Sequence, residues 1–179
     1  MSLFELTDET VTTPSWVVLH RIRATRDLPE YGVKCGDLGG WVESTDNLSD
    51  RAWVFDDARV FGNARVSGRA QVYGDAQVFG DAWVLGDARV YGDAQVYGDA
   101  EVFGDAWVFG DAHVLGDAQV PGDAHVLGDA RVCAPQDILV IGPIGSENQW
   151  ITLARTDTGH HLNIGCWDGT LDELAAEVD

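Results

Sequence analysis

Several things are scarce in this chain of 179 residues. Cysteine occurs three times, at Cys35, Cys133 and Cys166, never as a CxxC pair. That spacing argues against a disulfide framework and for free thiols in a reducing compartment. Basic side chains number 11 against 30 acidic ones, for a formal net charge of −19. Such a field disfavours nucleic acid and anionic membranes as partners and favours cations or basic proteins. No apolar run approaches the ~20 residues of a membrane span. The opening MSLFELTDETVTTPSW has neither a basic start nor a long apolar stretch, so no signal peptide is expected and the cytoplasm is the expected location.

What is abundant is one six-letter phrase, Ala-x-Val-x-Gly-Asp. Ala recurs every six residues from Ala52 to Ala130, and Val every six from Val54 to Val132. Departures cluster near the start, at Asp56-Asp57, Gly62-Asn63 and Gly68-Arg69. A helix cannot carry this period. Six residues advance about 600° and scatter the Val over three faces. Each Gly would also cost about 1 kcal/mol relative to Ala. A strand fits. In AWVF, Ala106 and Val108 point one way while Trp107 and Phe109 point the other. Gly-Asp then supplies a bend, Gly through its backbone freedom and Asp by capping its own corner. Short parallel strands joined by corners make a solenoid with an Ala/Val interior. That interior is apolar enough to exclude disorder.

Val54 with Ala58, Val60 with Ala64, and so on to Val126 with Ala130 place an aliphatic residue four before a small one. A period of six with this spacing resembles the left-handed β-helix of the hexapeptide-repeat superfamily. The resemblance implies an all-β fold: a left-handed parallel β-helix, a triangular prism with three hexapeptides per turn. The hand comes from the resemblance alone, because parallel crossovers are generally right-handed. One departure is that Gly here stands one position later than in many members. Fourteen hexads give between four and five turns, stacked about 4.8 Å apart. Val42 and Leu48 before the repeat, and Ile138 and Ile144 after it, keep the aliphatic phase, so the prism is expected to extend both ways.

The flanks read as caps over the open sheet edges. SWVVLHRIRATRDL is expected to be one strand, and YGVKCGDLGGWVES a turn with a return strand. NQWITLAR-TDTG-HHLNIGCW is expected to be a hairpin, followed by a short α-helix in which Thr170 and Glu173 form a capping box. The division is therefore an N-terminal cap over 1–44, the β-helix over 45–145 and a C-terminal cap over 146–179. GDLGGWVESTDNLS, DILVIGPIGS and GCWDGTLDELAAEV are similar to a group of phage and bacterial hexapeptide-repeat proteins labelled polymer-forming. For that group the label implies an architecture rather than an activity.

Enzymes of the superfamily are trimeric acyltransferases and zinc carbonic anhydrases with sites between prisms. The acyltransferases commonly use a His general base on a loop that interrupts the coils. Here the hexads run uninterrupted, and His113 and His125, twelve residues apart, are expected on different faces. His160 and Cys166 lie on one side of an expected strand, two ligands where structural zinc wants four. No catalytic residue, metal site or cofactor is therefore assigned.

Two surface features remain. Asp57, Asp75, Asp93, Asp111 and Asp129, eighteen apart, form a ladder along one edge. It could serve calcium or mimic the charge of DNA towards a basic protein. Trp53, Phe55, Tyr73, Tyr91, Trp107 and Phe109 sort onto one flat face, with Arg89 among them. A second face carries Phe61, Phe79 and Tyr97, and the third is poorer, with Ser67, Leu85, Phe103 and Pro121. An apolar face of that size reads as an interface. The expectation is a non-enzymatic structural or binding module that pairs with itself as a dimer or trimer. The alternatives are a hexapeptide-type acyltransferase and an acidic decoy for a basic protein.

Overall fold

The computed structural model describes residues 3–144, 146 and 148–178. Three strands precede the repeat: β1 (Phe4–Thr12), β2 (Val18–Ala24) and β3 (Leu38–Val42). The repeat forms fourteen two-residue strands, β4 (Trp53–Val54) through β17 (Arg131–Val132). After it come β18 (Ile138–Ile144), β19 (Gln149–Arg155), β20 (His160–Ile164), β21 (Trp167–Gly169) and helix α1 (Leu171–Val178).

The hexads wind as a parallel β-solenoid of about five turns. Every third strand pairs in parallel with the one eighteen residues on, as Val54 does with Val72 and Val60 with Val78. Three sheets result. Face 1 begins at Trp53–Val54, face 2 contains Arg59–Val60, and face 3 begins at Arg65–Val66. Coils are joined by axial backbone bonds such as Phe55 N–H to Val72 O at 2.8 Å. Inside, Ala and Val from Ala52 to Val132 are buried almost completely. Neither residue brings a side-chain polar atom that would need a partner there.

The corners show why glycine is required. Gly68 sits at φ +74°, and a Cβ there would lie 2.7 Å from the carbonyl oxygen of Gly86 one coil on. Backbone angle and close approach both reject a side chain. The expected capping of each corner by its own Asp is replaced by another arrangement. The N–H of Asp75 donates along the axis to Gly92 O at 3.0 Å, and its carboxylate is left to solvent. Among the described residues, the carboxylates that accept corner N–H groups stand at the ends of the coil. Glu43 takes Gly62 N–H at 2.7 Å, Asp50 takes Gly68 N–H at 3.2 Å and Asp56 takes Gly74 N–H at 3.3 Å. Asp50 and Asp56 occupy the glycine slot with φ of 56° and 51°. At the other end Asp137 accepts from Cys133 and Ala134.

The two ends differ in construction. At the start, Val42 pairs in parallel with Val60 and Leu48 bridges to Val66, so the coil extends upstream as the aliphatic phase implies. β2 and β1 then add antiparallel strands to the same sheet. The expected strand over SWVVLHRIRATRDL narrows to β2, and β1 is an element the sequence reading did not anticipate. At the far end the phase misleads. Pro135–Asp137 forms a 3-10 turn that takes the chain off the coil, and Ile138–Ile144 pairs antiparallel with β19. Ile138 and Ile144 therefore do not continue the prism; β18 belongs by pairing to a four-stranded antiparallel sheet with β19, β20 and β21. That sheet abuts the last coil through the Ala130–Thr156 bridge and a bond from His125 N–H to Thr152 Oγ1 at 2.9 Å. β19 and β20 form the expected hairpin. The capping box of α1 is present, with Glu173 N–H to Thr170 Oγ1 at 3.2 Å and Thr170 N–H to Glu173 Oε2 at 2.7 Å. Among the described residues, no helix is long and apolar enough to cross a membrane.

Candidate interaction face

The register of eighteen stacks equivalent outward residues. On face 1, Tyr73 lies over Tyr91 with ring centroids 4.9 Å apart, and Tyr91 over Phe109 at 4.9 Å, both pairs stacked with nearly parallel planes. Phe55 meets Tyr73 edge-on at 6.2 Å. Trp107 stands beside Tyr91 at 6.1 Å, with the Arg89 guanidinium 4.8 Å above its ring. Five of the six residues expected at an interface are thus brought together, each half-buried by its neighbours. Offset stacking and cation–π contact are each worth on the order of 1 kcal/mol, so part of this ladder holds the coils to one another. Burial also pushes the Tyr73 and Tyr91 phenols above their ordinary pKa, against a lowering by Arg89.

Trp53 is the exception, and its assignment to the outer face is corrected. It is 0% exposed and belongs to the core cluster that contains Leu28 and Val33. The physical reason is the loop around the 3-10 turn Pro29–Tyr31. Tyr31 packs edge-on against Phe55 at 6.1 Å, and its hydroxyl donates to Arg69 O at 3.2 Å. At the opposite end of the face, Trp107 stacks on His125 at 5.4 Å, and Leu127 is buried. The half-exposed stretch of face 1 is therefore Tyr73, Tyr91, Trp107 and Phe109 with Gln71 and Arg89, bracketed by the two caps.

The other faces are less aromatic. Face 2 stacks Phe61, Phe79 and Tyr97 at 5.1 and 4.8 Å. Face 3 carries Trp83, which is 43% exposed, beneath Arg65 at 5.8 Å. The sequence reading did not single out Trp83, whose signal was its place beside Arg65 at the coil spacing. Trp16 was missed as well. It is 87% exposed at φ 66°, in the turn between β1 and β2 that Thr13 ties through its hydroxyl to Val17 N–H at 3.1 Å.

The candidates for chemistry stay apart. His113 lies on face 2 and His125 on face 1. Burial lowers the His125 pKa, against a hydrogen bond to Asn163 that raises it. His160 begins β20, while Cys166 lies in the turn beyond its far end. Among the described residues, no three His, Cys, Asp or Glu side chains converge as a metal site would require. The Asp ladder is partly compensated where it begins: Asp57 accepts from Trp41 Nε1 at 3.2 Å and pairs with Arg21 at 3.5 Å. On the neighbouring corners Asn63 bonds Asp81, and Arg69 grips Asp87 through two nitrogens. Asp75, Asp93, Asp111 and Asp129 are exposed.

With this geometry in view, the repeat is similar to the YdcK beta-solenoid repeat over residues 70–86 and 94–110. No curated protein matches the chain.

Proposed function

We propose that this protein is a non-enzymatic cytoplasmic scaffold, a rigid β-solenoid that associates with a second copy through the open stretch of face 1. The observation that carries the reading is the stacked column Tyr73–Tyr91–Phe109, flanked by Trp107 and Arg89. Large flat aromatic rings beside an arginine are what protein interfaces concentrate at their centres. The uninterrupted hexads and the separation of His113 from His125 further support a binding role over catalysis. The hexapeptide-repeat affiliation and the left hand of the coil are part of the same reading.

Light scattering over a concentration series tests it. Wild-type protein is expected to exceed the monomer mass of 19.4 kDa. Tyr91→Glu is expected to weaken association at least tenfold, since truncating a central aromatic contact commonly costs about 2 kcal/mol or more. Association that Tyr91→Glu leaves unchanged removes face 1 from the account. A monomer at every concentration removes self-association altogether.

A further inference from the structure

The sheet at the C-terminal end presents a second surface, and its construction differs from everything on the prism. β18 is the outer strand of the order β18-β19-β20-β21, and among the described residues it pairs with β19 alone. An unpaired strand edge is a template for another strand, and proteins that do not use one protect it with charge, proline or a bulge. The molecule does this at β1, the edge of its largest sheet. β1 carries Glu5, Asp8 and Glu9, and its register with β2 breaks between Leu6 and Thr10. β18 reads ILVIGPI, without a single charge; its proline, Pro143, and its register break both fall beyond Ile141, so Ile138–Ile141 is the open part of the edge.

The side chains of β18 alternate. Ile138 and Val140 pack against the core cluster, while Leu139 and Ile141 are 52% and 45% exposed. Leu139 pairs with Leu153, and Ile141 with Ile151, so the outward surface of the sheet continues as apolar rows onto β19. Charge selects the occupant. A molecule of net charge −19 repels its own copy over most of its surface. Over β18 and residues 149–154 of β19 there is no ionisable side chain. The acid at the start of β18, Asp137, is already paired with Arg155 at 3.3 Å. An edge strand laid antiparallel on itself is self-complementary, with each copy giving and accepting the same backbone bonds about a two-fold axis.

We propose that β18 is a docking edge for β18 of a second copy, two molecules pairing antiparallel so that their C-terminal sheets become one eight-stranded sheet with continuous apolar rows. This interface is separate from face 1 and does not depend on it.

The test uses the full chain and measures mass by light scattering, with circular dichroism to check folding. Ile141→Lys places a charge on an already exposed side chain, and Leu139→Glu does so with the opposite sign. Both are expected to weaken the dimer at least tenfold, while Tyr91→Glu leaves dimerisation through β18 intact. A wild-type monomer overturns the proposal, as does a dimer that tolerates both β18 substitutions. A dimer lost only in Tyr91→Glu assigns association to face 1 instead. Loss of mass in both classes of variant, with wild type forming species larger than a dimer, means that both interfaces operate.

Discussion

The two ends of the solenoid face one physical problem, an open stack of Ala and Val with unpaired backbone, and they answer it differently. At the N-terminal end the coil's own sheet is continued, first by the parallel β3 and then by antiparallel β2 and β1. Leu3, Phe4, Ile22, Leu28 and Val33 join the core cluster there. At the C-terminal end a separate sheet is laid against the last coil, anchored by the Ala130–Thr156 bridge and the His125–Thr152 bond. The first solution leaves an acidic, irregular edge; the second leaves an apolar one. Continuing a sheet lets its last strand be chosen for solubility alone. A sheet laid against the coil spends one face on the coil and has a second face and an edge left over.

The sharpest way to break the comparison is to open the N-terminal end at its densest point. Trp53 is fully buried beneath the Pro29–Tyr31 loop. Trp53→Ala is expected to destabilise the protein by about 4 kcal/mol, the usual scale for deleting a buried aromatic. The denaturation midpoint in urea measures it. Trp16→Ala, at 87% exposure on the same cap, is expected to stay within about 0.5 kcal/mol of wild type. A small loss at Trp53 would mean that the cap collapses into the space and that its fit is loose.

A single substitution type can then be moved from the first turns of the coil to its last. Gly68 and Gly122 share a left-handed backbone, at φ +74° and +58°. At Gly68 a Cβ meets the backbone of the next coil at 2.7 Å, while at Gly122 nothing lies within 4 Å. Gly68→Ala therefore combines backbone strain with a clash and is expected to cost about 3 kcal/mol. Gly122→Ala carries the strain alone, about 1 kcal/mol. Thermal or urea unfolding of the two variants separates the terms. Equal losses would show that φ, and not the next coil, is what demands glycine.

Much of this was legible in the repeat. The period of six, Ala beside Val and the Gly-Asp pair dictate parallel coils of eighteen residues, and the stacking of Tyr73 on Tyr91 follows from that number alone. What resisted reading were the places where one segment folds over another. Trp53 carries the same outward phase as Trp107, and nothing local says that a loop twenty residues upstream covers it. Ile138 and Ile144 keep the aliphatic phase because an antiparallel strand also prefers branched side chains; only the turn at Pro135 redirects them. Corner capping misread for a related reason. Asp75, Asp81, Asp87 and Asp93 give their N–H groups to the next coil, and the carboxylates that do accept corner N–H groups stand where coils run out, at Glu43, Asp50, Asp56 and Asp137.

The smallest expected effect tests whether the C-terminal sheet is held independently. His125 sits where face 1 meets that sheet, and burial lowers its pKa despite the Asn163 bond that opposes the shift. With the folded pKa below the unfolded value, the unfolded chain takes up the proton first as the pH falls. The stability contributed by neutral His125 is therefore complete above about pH 6.5 and is lost progressively below it, down through the lowered pKa. The group is only half-buried, and solvent screening keeps the loss modest. Hydrogen exchange at about pH 7.5 and about pH 5.5 reads the two ends separately once intrinsic rates are corrected. Amides of β19 and β20 are expected to lose protection at the lower pH relative to those of β2 and β3, and His125→Gln is expected to remove the difference. Equal loss at both ends would mean that the sheet and the coil open as one unit, so that the caps differ in construction but not in the energy that holds them.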